Sequence, residues 1–543
     1  MCHDKALKIY KVCFDCFLLS HFLRTTKMLV FAGYHFQNFT GLRILELTKL
    51  KIKKIDKTFF EHITQIQGLD LTQNQGIRID GSSFTELQKL VEFTCHSCYI
   101  SDLPGNLFSG LSSLKMISLH DNKIGTINPG TFDTNTALEV INLAKNTLQT
   151  LPNNIFDNLV NLTSAVLSYN NFNSLPDRLF KLNRKMKIFE MHVNGNKNPV
   201  LGYPLSGAKK MNLPSSMFPE SLETIRMLWV LVNGVPEDFL QGCTNLVNVT
   251  IQNAMITELP EKVFQDAPKL KLIDFSANSL TSLPPKIFKG LNQVEKLRFI
   301  ANKLSTLDEN LLQDFINLKV IHLDENQLES LPKNIFAPTK SLEELDLSQN
   351  KLSFSQVDFT KGSTFPKLRI LDLSQNNLTY ITDPMMFLML NLRTLNLSHN
   401  SIGDHRPWIG ENGSLVNLNF LERNDFVVDL SYNSIQRLLF QNVDIVYNSN
   451  NSRGSPIKLN ITNNPLKCDC KTVELKQISD GTMTGVLKNF FKLEPETLKC
   501  SGDNDKQTRH KYLSEVTYRD LNCEVAECSD QCRCSLNRYY RYG

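Results

Sequence analysis

The residues in this chain that carry reactive chemistry are cysteine, histidine and lysine, and their spacing decides what each can do. Cys95-His96-Ser97-Cys98 is a C-x-x-C, a spacing used for dithiol redox chemistry or for half of a metal site. Cys13-x-x-Cys16 repeats that spacing near the start, where a cap disulfide, a free pair or a misread start all fit. The eleven histidines stand in no nucleophilic spacing with serine or cysteine. There is no glycine-rich phosphate loop, no H-E-x-x-H and no acidic calcium loop. The expectation is therefore no enzyme, no cofactor and no metal. Seven of the thirteen cysteines crowd the end of the chain, at Cys468, Cys470, Cys500, Cys523, Cys528, Cys532 and Cys534. Such crowding points to a disulfide-stapled cap in an oxidising compartment. Eight N-x-S/T sequons, at Asn38, Asn161, Asn248, Asn377, Asn396, Asn412, Asn450 and Asn460, agree with secretion and are the expected glycosylation sites.

What must position these residues is a repeat. Leu318, Ile321, Leu323, Asn326 and Leu328 fit L-x-x-L-x-L-x-x-N-x-L, Phe336 follows, and the phrase restarts at Leu342. Starts fall every 24 residues at Leu42, Ile66, Leu90, Leu114, Leu138, Leu162 and Met186, and again at Leu222, Leu246, Leu270, Val294, Leu318 and Leu342. The step between the blocks is 36 residues (222 − 186), and later starts lie at Leu368, Leu392, Asp425 and Pro456. These seventeen starts predict an α/β repeat solenoid, a leucine-rich repeat horseshoe with a parallel concave sheet. A compact single core rarely exceeds about 250–300 residues, so a stack also accounts for the length of 543.

Within each repeat the leucines point inward. The second, third, fifth, seventh and eighth residues are expected to face solvent on the concave side. The ninth turns the chain, and its buried amide satisfies the backbone of adjoining turns. Thirteen repeats have asparagine there; Leu50, Cys98, Val230 and Ala254 are the exceptions, where the ladder should be weakest. Phe60, Phe84, Phe108, Phe132, Phe156, Phe180, Phe264, Phe288 and Phe336 each lie eighteen residues after a start and read as a stacked outer spine, not a binding stripe.

This register reinterprets the reactive residues. Cys95 takes an inward sixth position and Cys98 the asparagine slot, so both read as packed core. Cys243 falls on the convex side as a buried, unpaired thiol. His322 and His399 take concave positions and read as solvated, with pH sensing as the sharper alternative. Lys51, Lys53, Lys54 and Lys57 read as a solvated edge, or as a group that steers an acidic partner. The 36-residue step around Asn194–Leu213 and the insertion Gly403–Asp425 should project as loops.

The expected domains are an irregular segment with a partial repeat at 1–41, the array at 42–464, a cysteine-rich cap at 465–523, and the start of a second amino-terminal repeat cap at 524–543. Asn464-Pro465-Leu466-Lys467-Cys468-Asp469-Cys470, followed by Cys500 and Cys523, is the signature of a flank closing an extracellular array. Its spacing predicts Cys468–Cys500 and Cys470–Cys523. Of the three pairings four cysteines allow, the one joining neighbours one residue apart is disfavoured. Closing loops of about 30 and 50 residues should stabilise by several kcal/mol. Cys528-x3-Cys532-x-Cys534 then opens a new cap five residues after the last one closes, and the chain is expected to be cut through a second array. Val12 to Leu23 is apolar but interrupted by Asp15 and His21, so a truncated start is favoured over a signal peptide. A net charge of +4 argues for neither nucleic acid nor membrane binding, and no apolar run is long enough to span a membrane.

The long array of 24-residue repeats, the carboxyl cap and the immediate new amino cap together resemble the ectodomain of insect Toll receptors, over about residues 28–543. The resemblance implies innate immune or developmental signalling. It also implies a dimeric cystine-knot cytokine of the Spätzle type as partner, with receptor dimerisation as a further partnership. The remainder would comprise a second array, a further cap, a transmembrane helix and a cytoplasmic TIR domain, with the chain lying outside the cell or secreted. The expected ligand-binding residues are exposed sheet positions of the first five repeats: Arg43, Glu46, Lys49, Gln67, Asp70, Gln73, Glu92, His96, Lys115, Ser118, His120, Asp121, Glu139, Asn142 and Lys145. The alternative is an extracellular leucine-rich repeat adhesion, matrix or guidance protein, in which the array mediates contact without a cytokine.

Overall fold

The computed structural model describes residues 41–195, 209–353, 365–379, 391–403, 426–438, 457–469, 472–483, 491–501 and 510–521, with Phe36, Phe39 and Met389. Two compact units share these residues, the first running to Leu280 and taking in Lys286–Leu291, the second made of Thr281–Pro285 and residues from Asn292 onward.

In the first unit the short strands are β1 (Ile44–Glu46), β2 (Gly68–Asp70), β3 (Glu92–Thr94), β4 (Met116–Ser118), β5 (Val140–Asn142), β6 (Ser164–Val166), β7 (Ile188–His192), β8 (Thr224–Leu228), β9 (Asn248–Gln252) and β10 (Leu272–Asp274). β1 to β6 form one parallel ladder in which Leu45, Leu69, Phe93, Ile117, Ile141 and Ala165 are successive register partners. All six are buried. β7 to β10 pair in the same parallel sense. The second unit continues with β11 (Lys296–Arg298), β12 (Val320–His322), β13 (Glu344–Asp346), β14 (Ile370–Asp372), β15 (Thr394–Asn396), β16 (Val427–Asp429), β17 (Ile457–Asn460) and the cap strand β18 (Phe491–Lys492). Each strand from β1 to β17 opens at or next to the third residue of a repeat, so the 24-residue period becomes a one-strand step.

The strands are too short to hold themselves; the turn after each one does that. Asn326 is representative. Its Nδ2 donates to the carbonyls of Phe299 at 2.8 Å and Leu323 at 3.0 Å, and its Oδ1 accepts from the Leu304 N–H at 3.0 Å. One amide thus satisfies buried groups of two consecutive turns. Where asparagine is missing, a backbone carbonyl takes over: Gly76 N–H donates to Cys98 O at 2.8 Å, and Val232 N–H to Ala254 O at 3.0 Å. The ladder is patched at those turns.

The residue before the asparagine slot has a left-handed backbone in every repeat. From Lys49 through Val193, Trp229, Ala277 and Ala301 to Asn463, these residues have φ between 48° and 61°, and none is glycine. Left-handed φ costs an L-residue roughly 1–2 kcal/mol. It is held because the same N–H bonds to the next turn, as in Lys49 to Thr72 O (3.0 Å), Asp121 to Ala144 O (2.9 Å) and Ala301 to Asp324 O (3.0 Å).

On the outer side the phenylalanines stack. All nine are buried. Successive ring centroids from Phe60 to Phe180 lie 5.5–6.5 Å apart, and Phe264 and Phe288 lie 6.0 Å apart. At the 36-residue step the spine runs through Phe189, Phe218 and Phe239. Cys243 is a buried free thiol in an inward slot filled by leucine or alanine at Leu159 and Ala267, and burial pushes its pKa up to about 12. Such a thiol is inert.

In the cap, Cys468 bonds to Cys500 as the spacing predicts. Helix α1 (Val473–Ser479) buries Leu475 and Ile478, and its Lys476 lies inside the cap, paired with Asp480 at 2.9 Å. Arg437 of the last turns holds Asp469 in an ion pair. Cys470, Cys523, Cys528, Cys532 and Cys534, both projected loops, and Asn38, Asn412 and Asn450 lie outside the described residues, apart from the loop ends at Asn194–Gly195, Lys209–Leu213 and Gly403.

Cys95 and Cys98 are both fully buried, packed in the core as the register predicts, and they also form a disulfide that the register does not predict. The left-handed Ser97 between them turns Cys98 back under the strand, and this folds the two sulfurs together.

Two substitutions test this account of the turn. Asn326→Ala strips the partner from the buried Leu304 N–H and leaves the Phe299 carbonyl with Asn302 Nδ2 at 3.2 Å. It should cost about 2 kcal/mol in urea unfolding, with faster hydrogen exchange at Leu304. Ala301→Gly relieves a left-handed non-glycine and should stabilise by roughly 0.5–1 kcal/mol in the same assay.

Candidate ligand-binding face

The fifteen residues expected to bind all lie on β1–β5, beside them or on the turns that follow, and each is exposed or half-buried. The parallel register places side chains 24 residues apart side by side. Lys115 Nζ meets Glu139 Oε1 at 2.8 Å, and this contact holds the Glu139 carboxyl below its ordinary value. Ser97 Oγ donates to the Asp121 carboxylate. The His96 and His120 rings stack with centroids 4.7 Å apart, and His120 Nδ1 lies 3.4 Å from Ser118 Oγ. Burial, and then the neighbouring His96, lower the pKa of His120. Arg43 reaches the Gln65 carbonyl at 3.4 Å.

Two of the expected residues are spent on structure. Asp70 Oδ1 accepts from Thr72 N at 2.8 Å and Asn142 Oδ1 from Ala144 N at 3.0 Å, each closing its own turn. Glu46, Lys49, Gln67, Gln73, Glu92 and Lys145 line the same face. The seventh positions need correction: the register predicts that they face solvent, yet Thr72, Ser168, Ser276, Ser348, Ser374, Ser398 and Ser431 are buried. At this position closure of the turn draws the short side chain under the sheet edge. His96 and His120, too large to follow, stay half-exposed.

The sequence reading misses other residues on this surface. Met116 and Val140 add half-buried apolar area at third positions. Tyr99, 45% exposed, carries Lys123 Nζ 4.7 Å above its ring. For Met116 and Val140 the signal is the repeat register, which places third positions on the solvent side; Tyr99 lies at a tenth position, to which the register gives no face.

In the second unit, His322 is not simply solvated. Its Nε2 lies 2.9 Å from Glu344 Oε1 with 17% of its side chain exposed. His399 stacks on Tyr432 at 4.1 Å. Burial and the adjacent Asp346 push Asp324 up to about 6, and burial also raises Asp346.

Of the described sequons, Asn161 is half-exposed at the outer end of a repeat and Asn377 is exposed on a turn. Asn248, Asn396 and Asn460 lie within β9, β15 and β17 on the sheet face. Asn396 and Asn460 donate across to Asp372 and Asp429 at 2.8 and 3.0 Å. Among the described residues no group of three or more His, Cys, Asp or Glu could hold a metal ion, and no helix is long and apolar enough to cross a membrane.

Residues 7–95 and 53–187 match the family described as BspA type leucine rich repeat region (6 copies). Residues 244–304 and 300–352, and 391–412, match families described as leucine rich repeat. The fold is a leucine-rich repeat solenoid. Protein toll of Drosophila melanogaster is 26% identical over 181 residues, 32% of this chain and 15% of that protein. A leucine-rich repeat and fibronectin type III domain-containing protein 1-like protein of Danio rerio is 32% identical over 116 residues, 21% of this chain and 16% of that protein. The structure of the Drosophila Toll–Spatzle complex, described as a molecular hub in development and innate immunity, aligns with a TM-score of 0.68 and 22% identity, covering 88% of this chain and 64% of that one. At that identity the likeness is one of fold. The leucine-rich repeat chain thus spans less than two thirds of each of these relatives.

Asp324 gives this leucine-rich repeat face a pH signature. Its folded pKa of about 6 lies above the ordinary 3.8, so the folded state binds the proton more tightly. The resulting stability is fully present below about 4 and is lost as pH rises through about 6. Asp324→Asn should therefore stabilise by about 1 kcal/mol at pH 7, after discounting for solvent screening, and the gain should vanish in denaturation at pH 4.

Proposed function

We propose that this chain is the ligand-binding ectodomain of a Toll-type receptor. In this reading it lies outside the cell and recognises a dimeric cystine-knot protein of the Spätzle class in innate immune or developmental signalling. The ligand seats on the sheet face of β1–β5, and receptor dimerisation follows. The domain limits are an array over 42–464, a cap over 465–523 and a second repeat cap beginning at 524; Cys470–Cys523 completes the first cap, and the sequons carry glycans. Likeness of fold to the Toll chain of the Toll–Spatzle complex supports the receptor reading, as does the identity with Protein toll.

The observation that carries the location is the distribution of sequons. The sheet-face asparagines in sequons stand on β9, β15 and β17, whereas β1–β8 have none. Glycans at those sites would screen β9, β15 and β17 and leave bare both β10–β14, which also have none, and the first face. That face carries mixed charge around Met116, Val140 and the two histidines, a pattern that suits a protein partner.

A single substitution tests the location. Ala144→Ser turns Asn142-Leu143-Ala144 into a sequon, reproducing the natural Asn396-Leu397-Ser398 at the same repeat positions. A glycan at Asn142 should weaken binding of a Spätzle-class dimer at least about 10-fold by calorimetry. Lys303→Asn, which makes a sequon on an exposed turn of the second unit, should leave binding unchanged. Undiminished affinity with a glycan on Asn142 would rule out this face.

The second reading, an adhesion, matrix or guidance protein, is favoured by the 32% identity to the Danio rerio protein. Absence of ligand heat together with strong self-association in sedimentation would support it.

A further inference from the structure

The run Lys49-Leu50-Lys51-Ile52-Lys53-Lys54-Ile55-Asp56-Lys57 follows β1. Ile52 and Ile55 are buried and Leu50 half-buried, while all five lysines are exposed. The alternation is built in. Leu50 N–H and Ile52 N–H both donate to Asn74 Oδ1 at 3.1 Å, pinning the backbone so that Lys49, Lys51 and Lys53 must project outward. Lys49 and Lys51 have left-handed φ of 61° and 59°.

Lys54 is neutralised, at 3.0 Å from Asp80 and 3.8 Å from Asp56. Lys53 Nζ meets only the Gln75 carbonyl, at 3.3 Å, and Lys49, Lys51 and Lys57 form no ion pair with a described carboxylate. The edge continues along tenth positions of successive turns. After Lys51 comes Gln75, whose Nε2 donates to Tyr99 Oη at 3.2 Å, and then Tyr99 itself beneath Lys123.

We infer that this edge binds a sulfated polysaccharide of the glycosaminoglycan class. A row of unneutralised ammonium groups beside an exposed aromatic ring matches a linear chain of sulfates on sugar rings. A protein partner needs an apolar interface core, and the aliphatic residues of this run point inward. The edge adjoins the sheet face proposed for the protein ligand and shares Lys49 with it, but its test uses no protein ligand.

The probe is a fully sulfated heparin octasaccharide, titrated calorimetrically into the full chain in about 0.15 M NaCl and at higher salt. Binding is expected, with affinity falling steeply as salt rises. Changing Lys49, Lys51, Lys53 and Lys57 to Gln together should weaken it at least about 10-fold and flatten the salt dependence. The same change at the exposed Lys286, Lys289, Lys333 and Lys340 removes equal charge elsewhere and should alter affinity less than about twofold. Thermal melts of both variants should match the parent, because every substituted side chain is solvent-facing. Equal loss in the two variants would overturn the site in favour of general charge attraction. No binding by the parent, or undiminished binding of de-N- and de-O-sulfated heparin, would overturn the ligand class. If heparin fails while the first variant alone loses an acidic protein partner, the edge is a protein contact instead.

Discussion

A stack of parallel turns buries backbone polar groups at every corner, and those groups need partners before any surface can be held in place. The asparagine side chain meets that need because one amide both donates and accepts. Asn74, Asn122, Asn146, Asn278, Asn326, Asn350, Asn376, Asn400, Asn433 and Asn464 each donate to the carbonyl at the end of the preceding strand or of their own. The left-handed residue just before each asparagine is the cost of aiming that side chain inward. Its N–H bond to the next turn offsets part of the strain. Strand register, and so the side-by-side placement of Lys115 with Glu139 and His96 with His120, follows from these turns.

Much of this was legible in the sequence, because stacking converts chain period directly into spatial neighbours. The strand positions and the phenylalanine spine can be read from spacing alone, and Cys468–Cys500 belongs to one of the two pairings that spacing leaves. The left-handed backbone cannot. Lys49, Tyr169, Val193 and Trp229 show no glycine or shared chemistry at that position, since the strain is met by a backbone bond that any residue but proline can make. The Cys95–Cys98 disulfide is hidden for the same reason: the two residues look three apart along a strand, but Ser97 reverses the chain between them. His322 looks solvated in sequence because its partner Glu344 is 22 residues away, one strand over and offset by a pair.

Function in such a scaffold belongs to positions the scaffold does not use. Asp70 and Asn142 lie on the exposed strands yet serve their own turns, so sequence position overstates them. His96, His120, Ser97, Asp121, Lys115 and Glu139 are bound to each other across strands but not to the core. They form a mixed, partly desolvated surface on one unit. The second unit differs in character: Asp324, Asp346, Asp372 and Asp429 accumulate on its strands and turns, and their crowding, added to burial, raises Asp324 and Asp346. Asp346, Asp372 and Asp429 also close their own turns, accepting from the N–H of Ser348, Ser374 and Ser431, so the scaffold uses them as it uses Asp70.

The most direct test is hydroxyl-radical footprinting of the chain with and without a dimeric cystine-knot ligand. Met116, His96 and His120 are oxidisable side chains on the proposed face; Met255, 49% exposed, lies on a turn beyond β9 and Ile316, 57% exposed, on the outer side. Ligand should slow oxidation of the first three several-fold and leave Met255 and Ile316 unchanged. Protection of Met255 or Ile316 with none at Met116, His96 and His120 would contradict it.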